Sequence, residues 1–86
     1  MENLTAIFLS KAHEGKDYTI IGFSDNLSLH EKDRLASYGF VIGNSLRIIR
    51  KSIMGNTFEV NIVGSNLVIR KKEADNILLQ EGAHES

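Results

Sequence analysis

The chain has 86 residues, 42% hydrophobic and 24% charged, with ten Lys and Arg against eleven Asp and Glu for a formal net charge of −1. At roughly 150 residues per domain this is one small unit, and the charge balance argues against a cationic nucleic-acid coat protein and a disordered acidic tail. With no cysteine in the sequence, disulfide scaffolds, zinc–cysteine sites and thiol catalysis are excluded.

The N-terminal segment carries Glu2 where a secretory signal wants positive charge. Its apolar runs fall far short of the ~20 residues that cross a bilayer as a helix, so a cytoplasmic protein is expected. Leu4 to Leu9 reads as a first strand, with Leu4, Ala6 and Phe8 on one face and Thr5, Ile7 and Leu9 on the other. A recurring pattern then sets the rhythm: Gly, two polar residues, apolar, any, apolar. It occurs four times, starting at Gly15, Gly43, Gly55 and Gly64. Each copy predicts a glycine turn followed at once by a strand.

Between the first two copies a short helix fits, over about 28–38. Asp25 and Asn26 form the preceding turn, and Ser28-Leu29-His30-Glu31 is a capping box, with Ser28 accepting the Glu31 amide while the Glu31 carboxylate reaches back. Leu29, Leu35 and Ala36 supply its apolar stripe. Gly39 ends it as a left-handed residue, with Phe40 folding back on Leu35, and Ile42-Gly43 makes a second turn. A helix this short is marginal alone, so it must dock on the sheet.

Leu46 to Ile53 alternates imperfectly, and a bulge near Ile48 and Ile49 reconciles its two faces. Met54-Gly55-Asn56 connects it to Thr57–Val63, where Phe58, Val60 and Ile62 face one way and Thr57, Glu59 and Asn61 the other. After Leu67-Val68-Ile69, a helical turn is expected near 71–75, then a closing strand over 76–80 and a polar, frayed tail over 81–86. The result is one mainly β domain over 1–80: a small, partly open barrel of five to six antiparallel strands.

Little in this string carries chemistry. The available metal ligands are His13, His30 and His84, with Met54 a poor fourth, and their spacings match no compact ligand motif. No serine sits in a nucleophile motif, and Gly39-Phe40-Val41-Ile42-Gly43 lacks the Lys-Ser or Lys-Thr of a phosphate loop. The expectation is a non-enzyme with no catalytic residue, metal site or cofactor. Charge is more informative. Residues 1–43 sum to −2, and residues 73–86 sum to −4. Residues 44–72 hold Arg47, Arg50, Lys51, Arg70, Lys71 and Lys72 against Glu59 alone, giving +5. Such a basic middle suits an acidic partner surface, anionic lipid headgroups or nucleic acid, against the plain alternative of dispersed, solvated strand-edge charges. Nucleic-acid binding wants exposed aromatics beside the cations. Here Phe58 points inward, Phe40 caps the helix, and Phe8 and Phe23 lie on apolar strands, which leaves Tyr18 and Tyr38 as surface rings.

The ordered features, from Leu9 and Gly15 through Arg34-Leu35, Gly39-Phe40, Gly43, Gly64, Leu67-Val68-Ile69-Arg70 and Lys72-Glu73-Ala74 to Ile77, resemble the ferrous iron transport protein A (FeoA) domain. The resemblance covers roughly Leu9 to Gln80. The chain departs from the family pattern at Tyr38 (usually Leu), Ile42 (usually Pro) and Ile69 (often Leu). The resemblance implies an SH3-like β-barrel, acting as a bacterial cytoplasmic accessory of ferrous iron uptake. Its implied partner is the membrane ferrous iron permease, whose cytoplasmic part carries a GTP-binding domain. The same domain type ends metal-dependent transcriptional repressors, so a metal-responsive regulatory domain is the alternative. The expected partner surface is the helix up to Tyr38 with Arg34, together with Arg47, Arg50, Lys51, Arg70, Lys71 and Lys72. Neither nucleic-acid binding nor membrane insertion is expected, and a weak homo-oligomer is left open.

Overall fold

Turns fix the strand boundaries. The computed structural model describes residues 6–82, and within it Gly15, Gly43, Gly55 and Gly64 all have φ between 78° and 100°. The strands they separate are β1 (Ala6–Phe8), β2 (Asp17–Phe23), β3 (Ser45–Lys51), β4 (Thr57–Ile62), β5 (Ser65–Arg70) and β6 (Ile77–Glu81). A 3₁₀ turn, Leu9–Lys11, follows β1; helix α1 spans Leu29–Ser37, and α2 is the single turn Lys71–Ala74. The six strands form one sheet in the order β1-β6-β2-β3-β4-β5, every neighbouring pair antiparallel. β1 and β5 are its two edges, so the barrel is not closed.

Two bulges bend the sheet. In β3 the register against β4 shifts between Ile48 and Arg50, where the broken alternation predicts it. The extra residue lets Leu46 and Ile48 stay buried while Arg50 turns to solvent. In β2 the register against β6 shifts between Ile20 and Gly22, a bend that the sequence reading does not contain. β4 alternates as expected, with Phe58, Val60 and Ile62 buried. These pack with Leu9, Ile20 and Leu79 in one core cluster.

The helix is capped as its sequence predicts, but it is held differently. Ser28 Oγ accepts from the Glu31 N–H at 3.1 Å, and Glu31 Oε1 accepts from the Ser28 N–H at 2.9 Å. At the other end the Phe40 N–H reaches Leu35 O and the Gly39 N–H reaches Ala36 O, the Schellman pair of bonds. Leu29, however, is 74% exposed, and Leu35 is the only buried residue of α1. Besides Leu35, the core contacts come from Leu27, just before the cap, and Phe40, just after the helix.

Three further expectations are corrected. Tyr18 is not a surface ring: it is 1% exposed, and its hydroxyl accepts the His13 N–H. The first strand ends at Phe8, because Leu9 turns into the core; Leu4 and Thr5 lie outside the described residues. Glu81 belongs to β6, and the Gly82 N–H donates to Asp17 O while its carbonyl accepts from Thr19 Oγ1. The start of the segment read as frayed is therefore tied into the sheet.

Candidate interaction surfaces

The seven cations expected to form a partner surface are scattered and mostly neutralised. Arg47, on β3, makes a two-pronged pair with Asp17 on β2, at 2.8 and 3.1 Å. Arg50 pairs with Glu59 at 3.4 Å, Lys71 with Asp75 at 2.9 Å, and Lys72 with Glu31 at 3.6 Å. Arg34 pairs with Glu73. Lys51 donates its backbone N–H to Glu14, and the Arg70 N–H donates to Glu73. Neither Lys51 nor Arg70 takes part in an ion pair among the described residues.

The structure brings three of the seven together. Arg34, Arg70 and Lys72 surround Glu73, whose side chain is largely buried where α1, β5 and α2 meet. Glu73 joins the three elements: one oxygen caps α2 through the Arg70 N–H, and the other takes the Arg34 guanidinium. Beside it Arg34, Tyr38, Leu67, Val68, Arg70 and Glu73 line a groove of about 260 Å³. Arg47 sits apart on the outer sheet face, with Asp17, Ser45, Ile49, Asn61 and Asn66 around a broad, shallow depression. Lys51 is elsewhere again, near the β3–β4 connection.

Local bonds shift several ionisations. The Asp17 carboxyl is held below its ordinary range by the Arg47 hydrogen bonds. Glu31 is lowered by the Ser28 backbone N–H of the capping box, and Asp75 by the Ser10 hydroxyl and then Lys71. Lys16 is raised by its hydrogen bond to Glu81. These shifts follow from capping and pairing on the surface.

Of the residues able to ligate a metal, His13 and His30 are exposed on separate segments, Met54 is exposed, and His84 lies outside the described residues. Among the described residues no three His, Cys, Asp or Glu side chains gather as a metal site. No helix among the described residues is long and apolar enough to cross a membrane.

One surface escaped the sequence reading. Tyr38, Val41, Ile42 and Val63 are all exposed. They belong to one end of the fold, because a Cβ placed on Gly39 would lie 2.7 Å from Val63 Cγ2. The signal was available: segments 37–46 and 60–69 contain no charged residue.

This architecture, a bent open sheet with a capped helix and a helical turn, defines the class of small SH3-like barrels. The FeoA domain family model matches residues 7–81, and the chain belongs to that family. Among solved structures, the FeoA protein from Chlorobium tepidum is 26% identical, with a TM-score of 0.80 over 93% of this chain and 74% of that one. The zinc complex of Stenotrophomonas maltophilia FeoA, described as a prokaryotic SH3 domain protein, is 22% identical with a TM-score of 0.71, covering 85% and 88%. A manganese-dependent transcriptional repressor has the same fold at 19% identity and a TM-score of 0.81, over 93% of this chain and 44% of that chain. No curated protein sequence matches the chain.

Proposed function

We propose that this protein is a non-enzymatic cytoplasmic accessory of ferrous iron uptake, acting by contact with the GTP-binding cytoplasmic part of a ferrous iron permease. The observation that carries the reading is the family match over residues 7–81, which makes ferrous iron transport the family's business. Docking is assigned to the surface where α1, β5 and α2 meet, because Arg34, Arg70 and Lys72 converge there. Arg47, Arg50, Lys51 and Lys71 contribute through the field rather than by direct contact. Titration calorimetry of the chain with the permease's soluble domain tests this: micromolar or tighter binding is expected at low salt. No binding at ~100 μM would reject the reading.

The likeness to the manganese-dependent repressor favours a second reading, a metal-responsive regulatory domain. Anaerobic ferrous iron titration separates the two. The accessory reading expects no saturable site, whereas the regulatory reading expects stoichiometric binding with a structural response.

A further inference from the structure

The two edges of the sheet are unlike. Among the described residues β1 is three residues long, whereas β5 is six and pairs with β4 in unbroken register. Edges are ordinarily guarded by bulges, proline or inward charge. β5 has none of these, and its single charge, Arg70, stands at its end.

The direction of its main-chain groups follows from the hairpin. The two-residue turn Val63–Gly64, with φ of 50° and 79°, closes on the pair Ile62 and Ser65, the geometry of a primed turn whose flanking residues form a hydrogen-bonded pair. Alternation then points Ser65, Leu67 and Ile69 inward to β4. The main-chain groups of Asn66, Val68 and Arg70 point off the sheet. The far end agrees: the Lys71 N–H bonds to Asn56 O on the β4 side, while the Arg70 N–H is free to meet Glu73. Asn66 and Val68 thus present a row of N–H and C=O groups that no strand among the described residues pairs.

That row has a wall. Across the groove of about 260 Å³ stand Arg34 of α1 and Tyr38, the residue that caps its C-terminal end, facing Leu67, Val68 and Arg70. A strand laid between an open sheet edge and a helix is a recurrent mode of peptide capture, with main-chain bonds giving affinity and alternate side chains specificity. Tyr38, Leu67 and Val68 supply apolar contact. Arg34 and Lys72 already hold Glu73 and Glu31, so Arg70 carries the unmatched charge.

We infer that the β5 edge is a strand-addition site for an extended peptide segment with an apolar residue facing Tyr38 and Leu67 and a carboxylate facing Arg70. A second copy fits less well. Antiparallel pairing of two β5 strands about Val68 sets each Arg70 opposite Asn66, leaving both guanidinium groups unmatched. The inference does not depend on which protein supplies the segment.

Amide-resolved NMR of the intact chain tests it, using acetylated peptides of alternating valine and threonine with one glutamate. Saturable shifts at Asn66, Val68, Arg70 and Tyr38 are expected. Val68→Pro removes an outward N–H without taking a bond from β4 and should weaken binding about tenfold or more, while Val68→Thr retains it. N-methylation provides a test that leaves the protein untouched: methyl groups on one alternate set of peptide amides should abolish binding, and those on the other set should not. The inference is overturned if no peptide shifts the β5 amides, if both methylation patterns bind alike, or if β5 shifts only with protein concentration as the chain dimerises.

Discussion

Val63 is the one non-glycine residue with positive φ among those described, at 50°, and a β-branched side chain is poorly suited to that region. Primed two-residue turns prefer Asn-Gly, yet here Val precedes Gly64 and leans over Gly39. The tight approach explains why Gly39 is glycine twice over: its φ is 109°, and an added Cβ would strike Val63 Cγ2 at 2.7 Å. Gly39→Ala should destabilise the domain by roughly 1–3 kcal/mol. Val63→Asn should relieve the turn and stabilise it by about 0.5–1 kcal/mol. Urea unfolding of both variants checks the pair; a destabilised Val63→Asn would mean that the contact over Gly39 outweighs the turn strain. The glycine was legible from its place after a helical pattern. Val63 was not, because alternation through Phe58, Val60 and Ile62 reads it as one more strand residue.

At the level of elements, sequence chemistry that acts between near neighbours was readable. The capping box at Ser28 and Glu31, the Schellman end at Gly39, the four glycine turns and the bulge after Ile48 all rest on residues within a few positions of one another. What failed depends on where an element is placed. Leu29 fits an apolar stripe by spacing, but α1 leans on the core through Leu35 and through Leu27 and Phe40 at its flanks. Tyr18 reads as a surface ring until β2 turns its ring inward and His13 covers its hydroxyl. The difference predicts unequal costs along one helix. Leu35→Ala should cost about 2–5 kcal/mol, while Leu29→Ala, at an exposed first-turn position, should stay within about 0.5 kcal/mol. Thermal melts of the two variants decide it. Comparable losses would show that the stripe inferred from spacing does bear on the sheet.

Across the whole molecule, the segmental charges of −2, +5 and −4 neutralise one another. Arg47 meets Asp17, Lys72 meets Glu31, and Lys71 meets Asp75, so half of the six middle cations are answered by carboxylates outside their own segment. The pattern that reads as a docking face along the sequence is in large part the fold closing its own charge. This has a consequence for stability against pH, with a sign on each side. Asp17, Glu31 and Asp75 are lowered by folding, so their contribution is present above the ordinary carboxylate pKa of ~4 and is lost as pH falls through the lower folded values. Lys16 is raised by Glu81, so its contribution is present below the ordinary value of ~10.4 and is lost as pH rises through the higher folded value. Stability should therefore hold a plateau between those limits and decline outside both. Because these groups are exposed, their share is modest; the part that comes from Arg47, Lys71, Lys72 and Glu81 is salt-screened, while the hydrogen bonds from the Ser28 N–H and the Ser10 hydroxyl are not. Melting temperatures from pH 2 to 11 in ~0.02 M and ~1 M salt measure it: the acid and alkaline declines should shrink at high salt. A principal decline centred near neutrality, or one indifferent to salt, would show that surface pairing is not what ties stability to pH.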